Sequence, residues 1–306
     1  MNNGIKVLSL FDGMSCGQIA LERAGIKVSK YYASEIKPHA IKLTQLHYPN
    51  TIQIGDVTKV SYKDSILFTE KGDFNVGSID LLIGGSPCQN FSLVRATTLN
   101  KIDGLDGDKS KLFYEYLRIL KEIKPKYFLL ENVKMKKESY NQLNEYLGVK
   151  GIFINSALVS YQNRPRYYWT NIPNVIPPND ININFQDYKD TDYEYCKQFK
   201  VKQTPSRERM WNKGQGKGST IGSCANITNV EKIYCITRKQ DRCPNSGLIE
   251  FDNFCRFLTR REIELGQTLP LGYTDGLSYN QMQDLCGDGW TVDVIVHIFR
   301  NLLSLI

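Results

Sequence analysis

The chain has 306 residues, with 39 Lys/Arg, 32 Asp/Glu and only three His against eight Cys, for a formal net charge of +7. That length gives room for one large domain, or a large and a small one, with a well-buried core. An ordinary apolar share excludes a disordered or low-complexity chain. Three scattered histidines (His39, His47, His297) leave little for a His-based metal centre or a Ser-His-Asp apparatus.

The N-terminus, MNNGIKVLSLFDG, lacks a basic stretch followed by a long apolar one, so no signal peptide is expected. No apolar run approaches the ~20 residues that span a bilayer, so no membrane partner is expected. Cysteines spread through the chain without a C-x-x-C pair read as reduced thiols. The expected compartment is the cytoplasm, or the nucleus if the host is eukaryotic. Cys224, Cys235, Cys243 and Cys255 cluster, but with no histidine nearby they are not expected to hold zinc, and no metal is expected elsewhere.

Lys6–Phe11 reads as a short apolar strand running into a small-residue turn, and GQIALERAG as a helix closed by Gly25. Tyr31–Ile36 is a second strand and Asp80–Pro87 a third. KLFYEYLRILKEI puts Leu112, Phe113, Tyr116, Leu117, Leu120 and Ile123 on one helical face, and Tyr127–Val133 is a fourth strand. Continuous apolar strands separated by amphipathic helices predict an α/β fold, a mainly parallel sheet with helices on both faces. From about Thr170 to Cys255 turn residues multiply and no helical periodicity persists. Helical character returns at Thr259, where Thr259 and Glu262 fit a capping box, and again over Thr291–Leu303.

The positive charge has one address. Cys196–Asn245 holds eleven Lys/Arg against three acids, a net +8, so the remaining residues sum to −1. Gly214, Gly216 and Gly218 punctuate this stretch. Basic loops suit a phosphate backbone, though a solubilising surface insert has the same composition.

Ligands of open α/β sheets bind outside the carboxyl ends of the strands. The first strand ends in Phe11-Asp12-Gly13-Met14-Ser15-Cys16-Gly17, which offers backbone N–H groups but is not G-x-G-x-x-G. The second ends in Glu35, placed to hold ribose hydroxyls, and Asp56 follows within reach of an adenine amino group. Each acid alone is more simply read as a solvated surface carboxylate; together with the turn they suggest an adenosine-containing cofactor. The third strand runs into Gly84-Gly85-Ser86-Pro87-Cys88, a setting for a nucleophilic thiol rather than a packing cysteine. The fourth ends in Glu131-Asn132-Val133. An acid directly after Phe128-Leu129-Leu130 is either a carboxyl of raised pKa serving as acid or hydrogen-bond donor, or one held by an arginine from Gln162-Asn163-Arg164-Pro165-Arg166.

In this order, these residues resemble the C5-cytosine DNA methyltransferase family: F-D-G at 11–13, Pro87-Cys88-Gln89, Glu131-Asn132-Val133, Gln162-x-Arg164-x-Arg166, Phe257-Leu258-Thr259 with Glu262 and Gln267, and Gly287-Asp288-Gly289-Trp290-Thr291-Val292. F-D-G, Arg166–Asn171, Leu271-Gly272-Tyr273-Thr274 and the G-x-x-W are similar to the animal de novo-type branch, in a small enzyme of bacterial or phage-like size. Ser15 and Cys16 depart from a pattern that often has glycine there, and Asp288 from one with asparagine.

The resemblance implies a Rossmann-like S-adenosylmethionine-dependent methyltransferase fold over 1–171 and 256–306, with a smaller loop-rich target-recognition domain over 172–255. It implies S-adenosylmethionine as cofactor, S-adenosylhomocysteine as product, and double-stranded DNA as partner. A restriction endonuclease is a further possible companion in the host. Cys88 would attack C6 of cytosine, Glu131 would hydrogen-bond or protonate N3, and Arg166 would hold the base and its phosphate with Arg164 supporting. Phe11, Asp12, Gly13, Met14, Glu35, Ile36, Asp56, Val57, Pro87, Asp288, Gly289 and Trp290 would bind the cofactor. The base must be flipped out of the duplex, and residues 90–111 would close over it. The alternatives are an RNA C5-cytosine methyltransferase, sharing the same motifs, and a non-catalytic relative, against which the intact Pro-Cys and E-N-V residues speak.

Overall fold

The computed structural model describes residues 4–86, 111–205, 207–208, 225–240 and 247–306. These form two compact units. One comprises Met1–Ile154, Pro165–Pro177 and Ile295–Ile306; the other Asn155–Arg164 and Pro178–Val294.

The first unit is built on a seven-stranded sheet. In chain order its strands are β1 (Ile5–Leu10), β2 (Val28–Ser34), β3 (Ile52–Gln53), β7 (Leu81–Gly85), β8 (Tyr127–Val133), β9 (Ile152–Asn155) and β10 (Pro165–Thr170), with β4 (Ser61–Lys63), β5 (Ile66–Thr69) and β6 (Gly72–Asn75) forming a separate antiparallel sheet. The large sheet has the order β3-β2-β1-β7-β8-β10-β9. Every pair from β3 to β8 is parallel, and β10 runs antiparallel to β8. Leu81, Leu82 and Ile83 of β7 are all fully buried, so both faces of the sheet are covered. The core of one face gathers Leu8, Leu10, Leu82 and Leu130 with Phe113, Tyr116 and Leu117 of the helix Lys111–Ile123 and Leu143 and Leu147 of the helix Lys137–Leu147.

The mainly parallel sheet follows the sequence reading, and β8 and the helix Lys111–Ile123 fall where the apolar pattern puts them. Three strand ends come earlier than expected, at Leu10, Ser34 and Gly85 rather than Phe11, Ile36 and Pro87. Phe11 leaves β1 by adopting φ +58°. Glu35 stops β2 because its own Oε1 accepts hydrogen bonds from the N–H groups of Ile36 and Lys37, at 2.7 and 2.8 Å. Sequence inspection passes over the β4–β6 sheet, whose first turn, Asp64–Ser65, has two positive φ angles, as two-residue hairpins favour.

The second unit carries the hairpin β11 (Ile249–Phe251) and β12 (Phe254–Arg256) and the helices Tyr193–Lys197, Arg260–Gly266 and Tyr279–Asp288. The capping box at Thr259/Glu262 is formed in both directions. Compactness divides the chain elsewhere than the boundaries 172 and 255 expected from the resemblance, because residues 256–294 are tied into this unit. Arg256 and Glu262, both fully buried, form a bidentate ion pair at 2.7 and 2.8 Å, and the Glu262 carboxylate also accepts from the N–H groups of Thr259 and Asp190.

Candidate active site

Strand order reverses between β1 and β7: β2 and β3 lie on one side, β8 on the other. In such sheets the crevice for a ligand opens beyond the carboxyl ends of those two strands. Leu10 and Gly84 stand in register there. Gly84 leaves room for this close approach, since a Cβ there would sit 3.0 Å from the Leu10 carbonyl oxygen and the Tyr116 ring.

The turn after β1 holds three left-handed residues, Phe11, Gly13 and Ser15, at φ +58°, +60° and +58°. For the two non-glycines this conformation costs roughly 1–2 kcal/mol each. Asp12 secures the turn: Tyr31 Oη donates to its Oδ1 at 2.7 Å and Ser15 Oγ to its Oδ2, and the Asp12 N–H donates to the Ser34 carbonyl. The residue as a whole is only partly buried, with its carboxyl held against the Tyr31 and Ser15 hydroxyls. Burial pushes that carboxyl up to about 6; hydroxyls of Ser15, Ser9 and Tyr31 oppose the rise, and the nearby Glu35 charge adds to it. Glu35 reaches back to the same turn, its Oε2 accepting from Gly13 N–H at 2.8 Å. Ile36 beside it is 68% exposed, and Met14 is buried. Asp56, after β3, caps the short turn Val57–Lys59 by accepting from Thr58 N–H, while its own N–H donates to Glu70 Oε1.

An acid whose folded pKa lies above its unfolded value carries more protons folded than unfolded between those values, so stability falls as pH rises through that window. Asp12→Asn is therefore expected to raise thermal stability at pH 7–8 and to leave it nearly unchanged near pH 4. Melting curves across that range check this; a shift of equal size at both ends would show that charge is not the cause.

A second cluster stands at the ends of β7, β8 and β10. Glu131 is level with Gly85 on one side and Tyr168 on the other. Arg166, opposite Val133, lies diagonally across from Glu131 on the antiparallel pair, and its Nε meets Glu131 Oε1 at 2.8 Å. Both side chains are largely buried. Asn132, also buried, sends its Nδ2 to Ser86 Oγ at 3.0 Å, which holds the last described residue of the third strand end against β8. Pro87 and Cys88, the nucleophile expected from sequence, lie outside the described residues, as do 89–110.

In the second unit Gln162 and Arg164 are buried in a polar network. Gln162 Nε2 donates to Gln267 Oε1 at 2.9 Å, and Thr291 Oγ1 donates to the same oxygen at 2.9 Å. The Arg164 guanidinium donates to the carbonyls of Ile236, Gly287 and Gly289 at 2.9, 3.0 and 2.7 Å. Asp288 is exposed, with Arg238 Nε 4.0 Å from its carboxylate; Gly289 and Trp290 are partly buried.

The structure brings expected residues together in three groups, Asp12, Gly13 and Glu35 at one turn, Glu131 with Arg166, and Arg164 with the Gly287–Gly289 segment, while Asp56 and Val57 stand on the turn after β3 with Glu70. Two contributors were missed, Asn132 and Tyr31. Asn132 was visible as the middle of E-N-V; nothing in the sequence marks Tyr31, which matters only because β2 lies next to β1. Among the described residues no group of three His, Cys, Asp or Glu could hold a metal ion. Cys16, Cys196, Cys235, Cys255 and Cys286 are not joined in disulfides, and no described helix is long and apolar enough to cross a membrane.

The family model for C-5 cytosine-specific DNA methylases matches residues 5–165. The chain is similar to a Type II methyltransferase, M.NlaIV, of Neisseria lactamica, 38% identical over 133 residues covering 42% of this chain and 28% of that protein. It is also similar to an orphan methyltransferase, M.Rho11sI, of Bacillus phage rho11s, 31% identical over 189 residues, 58% of this chain and 34% of the relative. These matches span about a third or less of the relatives' own lengths. Among solved structures, the Entamoeba histolytica methyltransferase EhMeth superposes with a TM-score of 0.74 at 16% identity, over 99% of each chain, a likeness of fold. With more than half its length inside the family model, the chain belongs to the C-5 cytosine-specific DNA methylase family.

Proposed function

We propose that the protein is a DNA (cytosine-5)-methyltransferase acting on a flipped cytosine in duplex DNA. The observation that carries this reading is the Glu131–Arg166 pair, held at the strand ends beside Ser86, within a chain of this family. Carbon 5 of cytosine is too weak a nucleophile to take a methyl group unaided. The Cys88 thiolate adds to C6, which makes C5 enamine-like; Glu131 hydrogen-bonds or protonates N3 to accommodate the charge, and Arg166 holds both Glu131 and the base. Once C5 carries the methyl group, loss of its proton restores the C5–C6 double bond and expels the Cys88 thiolate.

S-adenosylmethionine, when bound, supplies the electrophilic methyl group. The residues present fit it. Glu35 uses three N–H contacts out of the roughly four its carboxylate can accept, leaving capacity for a ribose hydroxyl. Ile36 offers an exposed apolar face next to it, suited to a purine. Phe11, Asp12, Gly13, Met14, Asp56, Val57 and Pro87 are assigned with them, and Asp288, Gly289 and Trp290 in the second unit. Residues 172–255 are assigned to target recognition.

Labelled S-adenosylmethionine, offered with duplex DNA and with tRNA, tests the reading: label is expected in the DNA. Label in tRNA alone would replace it with the RNA-modifying alternative. For the basic segment, charge reversal at Lys213 and Lys217, both outside the described residues, is expected to weaken DNA binding and flatten its dependence on salt. An unchanged salt slope would reduce that segment to solvated surface.

A further inference from the structure

Two arginines lie two residues apart in Gln162-Asn163-Arg164-Pro165-Arg166, and by strand periodicity they would share a face and a task. Their surroundings differ. Arg166 meets a carboxylate. Arg164 is 2% exposed and meets three carbonyl oxygens and, at 3.3 Å, the Cys235 sulfur. Two of those carbonyls, Gly287 and Gly289, belong to the carboxyl end of the helix Tyr279–Asp288. There the last backbone carbonyls have no partner within the helix and the dipole favours a cation. Arg164 is the cap of that end.

The rest of the junction is built to the same purpose. Ile236 is held at both backbone atoms, its N–H donating to Gln162 Oε1 at 3.1 Å and its carbonyl accepting from Arg164. Gln267 Nε2 donates to the Cys286 carbonyl from the other side. Gly287 packs so tightly that a Cβ would come within 2.5 Å of the Arg238 nitrogen and 2.7 Å of the Thr237 carbonyl carbon. A planar fork can reach Ile236 with one amino group and the two glycine carbonyls with the other; a lysine ammonium is a single point and cannot. Swinging Arg164 out to a phosphate would strip these interior carbonyls of their donors.

We propose that Arg164 is a positioning residue for the Gly287–Trp290 segment, so that its loss is felt in cofactor affinity and not in the grip on the target base. This rests on the reading of Asp288, Gly289 and Trp290 as cofactor residues. The test compares wild type, Arg164→Lys and Arg166→Lys as full-length proteins. Calorimetry measures the Kd for S-adenosylhomocysteine, anisotropy measures the Kd for a cytosine-containing duplex without cofactor, and hydrogen exchange follows the peptide covering 286–292. Arg164→Lys is expected to raise the S-adenosylhomocysteine Kd at least fivefold and to speed exchange in 286–292, with the DNA Kd within twofold of wild type. Arg166→Lys is expected to weaken DNA binding and leave both other readouts unchanged. The proposal is overturned if Arg164→Lys weakens DNA binding while cofactor affinity and exchange match wild type, or if it changes none of the three. Should Arg164→Lys not fold, Gly287→Ala displaces the same segment with the arginine itself unchanged and must give the same loss of cofactor affinity. Wild-type protein that bound no S-adenosylhomocysteine would instead overturn the cofactor reading, a result distinct from either.

Discussion

Cys88→Ala is expected to abolish covalent trapping on 5-fluorocytosine DNA while S-adenosylhomocysteine still binds. The thiol is the group asked to form a bond with the base, so its removal leaves no adduct for the fluorine to lock in place. Glu131→Gln is expected to act on the same step differently. The amide keeps the shape and a hydrogen-bonding oxygen for Arg166 but cannot deliver a proton to N3, and loss of a positioned proton donor typically costs 10²–10⁴-fold in rate. Trapping by Glu131→Gln should therefore be slow, with the adduct still forming. Denaturing gels with labelled oligonucleotide separate the two outcomes. An adduct that survives Cys88→Ala would mean that another nucleophile attacks the base; unaltered trapping by Glu131→Gln would remove the carboxyl from the step.

Arg256→Met is expected to cost about 3–5 kcal/mol, because it leaves the Glu262 carboxylate in the interior without its counter-ion. The pair is fully buried, and the guanidinium also donates to the Asp190 and Phe257 carbonyls and lies over the Phe251 ring at 5.3 Å. The double change Arg256→Met with Glu262→Gln removes both charges and is expected to recover part of the loss, since breaking half of a buried pair is worse than replacing both halves. Urea unfolding followed by tryptophan fluorescence measures both. A single-variant loss below about 1 kcal/mol would show that water reaches the carboxylate. This pair fastens the hairpin of β11 and β12 to the helix Arg260–Gly266.

Much of the first unit is legible in the sequence. Continuous apolar strands such as Tyr127–Val133 need no tertiary information to be read, because a strand covered on both faces has no polar side to interrupt the pattern. The helix Lys111–Ile123 was equally plain from its apolar periodicity. Strand ends were less legible. Phe11 and Glu35 are where local bonding takes over from the sheet, Phe11 by its left-handed backbone and Glu35 by a side chain that captures the next two N–H groups. Neither event alters the apolar pattern on which the sequence reading rests. The helix Tyr279–Asp288 was also passed over, although Ser278 and Gln281 form a full capping box at its start. Its apolar residues are too few to stand out, and packing in the second unit decides it.

The sequence by itself determined the inventory and its order: acids at the ends of the first strands, a thiol after a glycine pair, an acid closing the fourth strand, two arginines further on, and a positive charge confined to Cys196–Asn245. It offered Gln162–Arg166 as a source of partners for Glu131 but could not choose between arginines that differ by one strand period. The tertiary structure chose. Antiparallel pairing of β10 with β8 puts Arg166 diagonally across from the carboxylate, while Arg164, just before the strand begins, is drawn to the bare carbonyls at a helix end. The physical reason is that a guanidinium goes to whichever unpaired acceptors the fold buries around it, and those acceptors come from residues more than a hundred positions away in the case of Gly287 and Gly289.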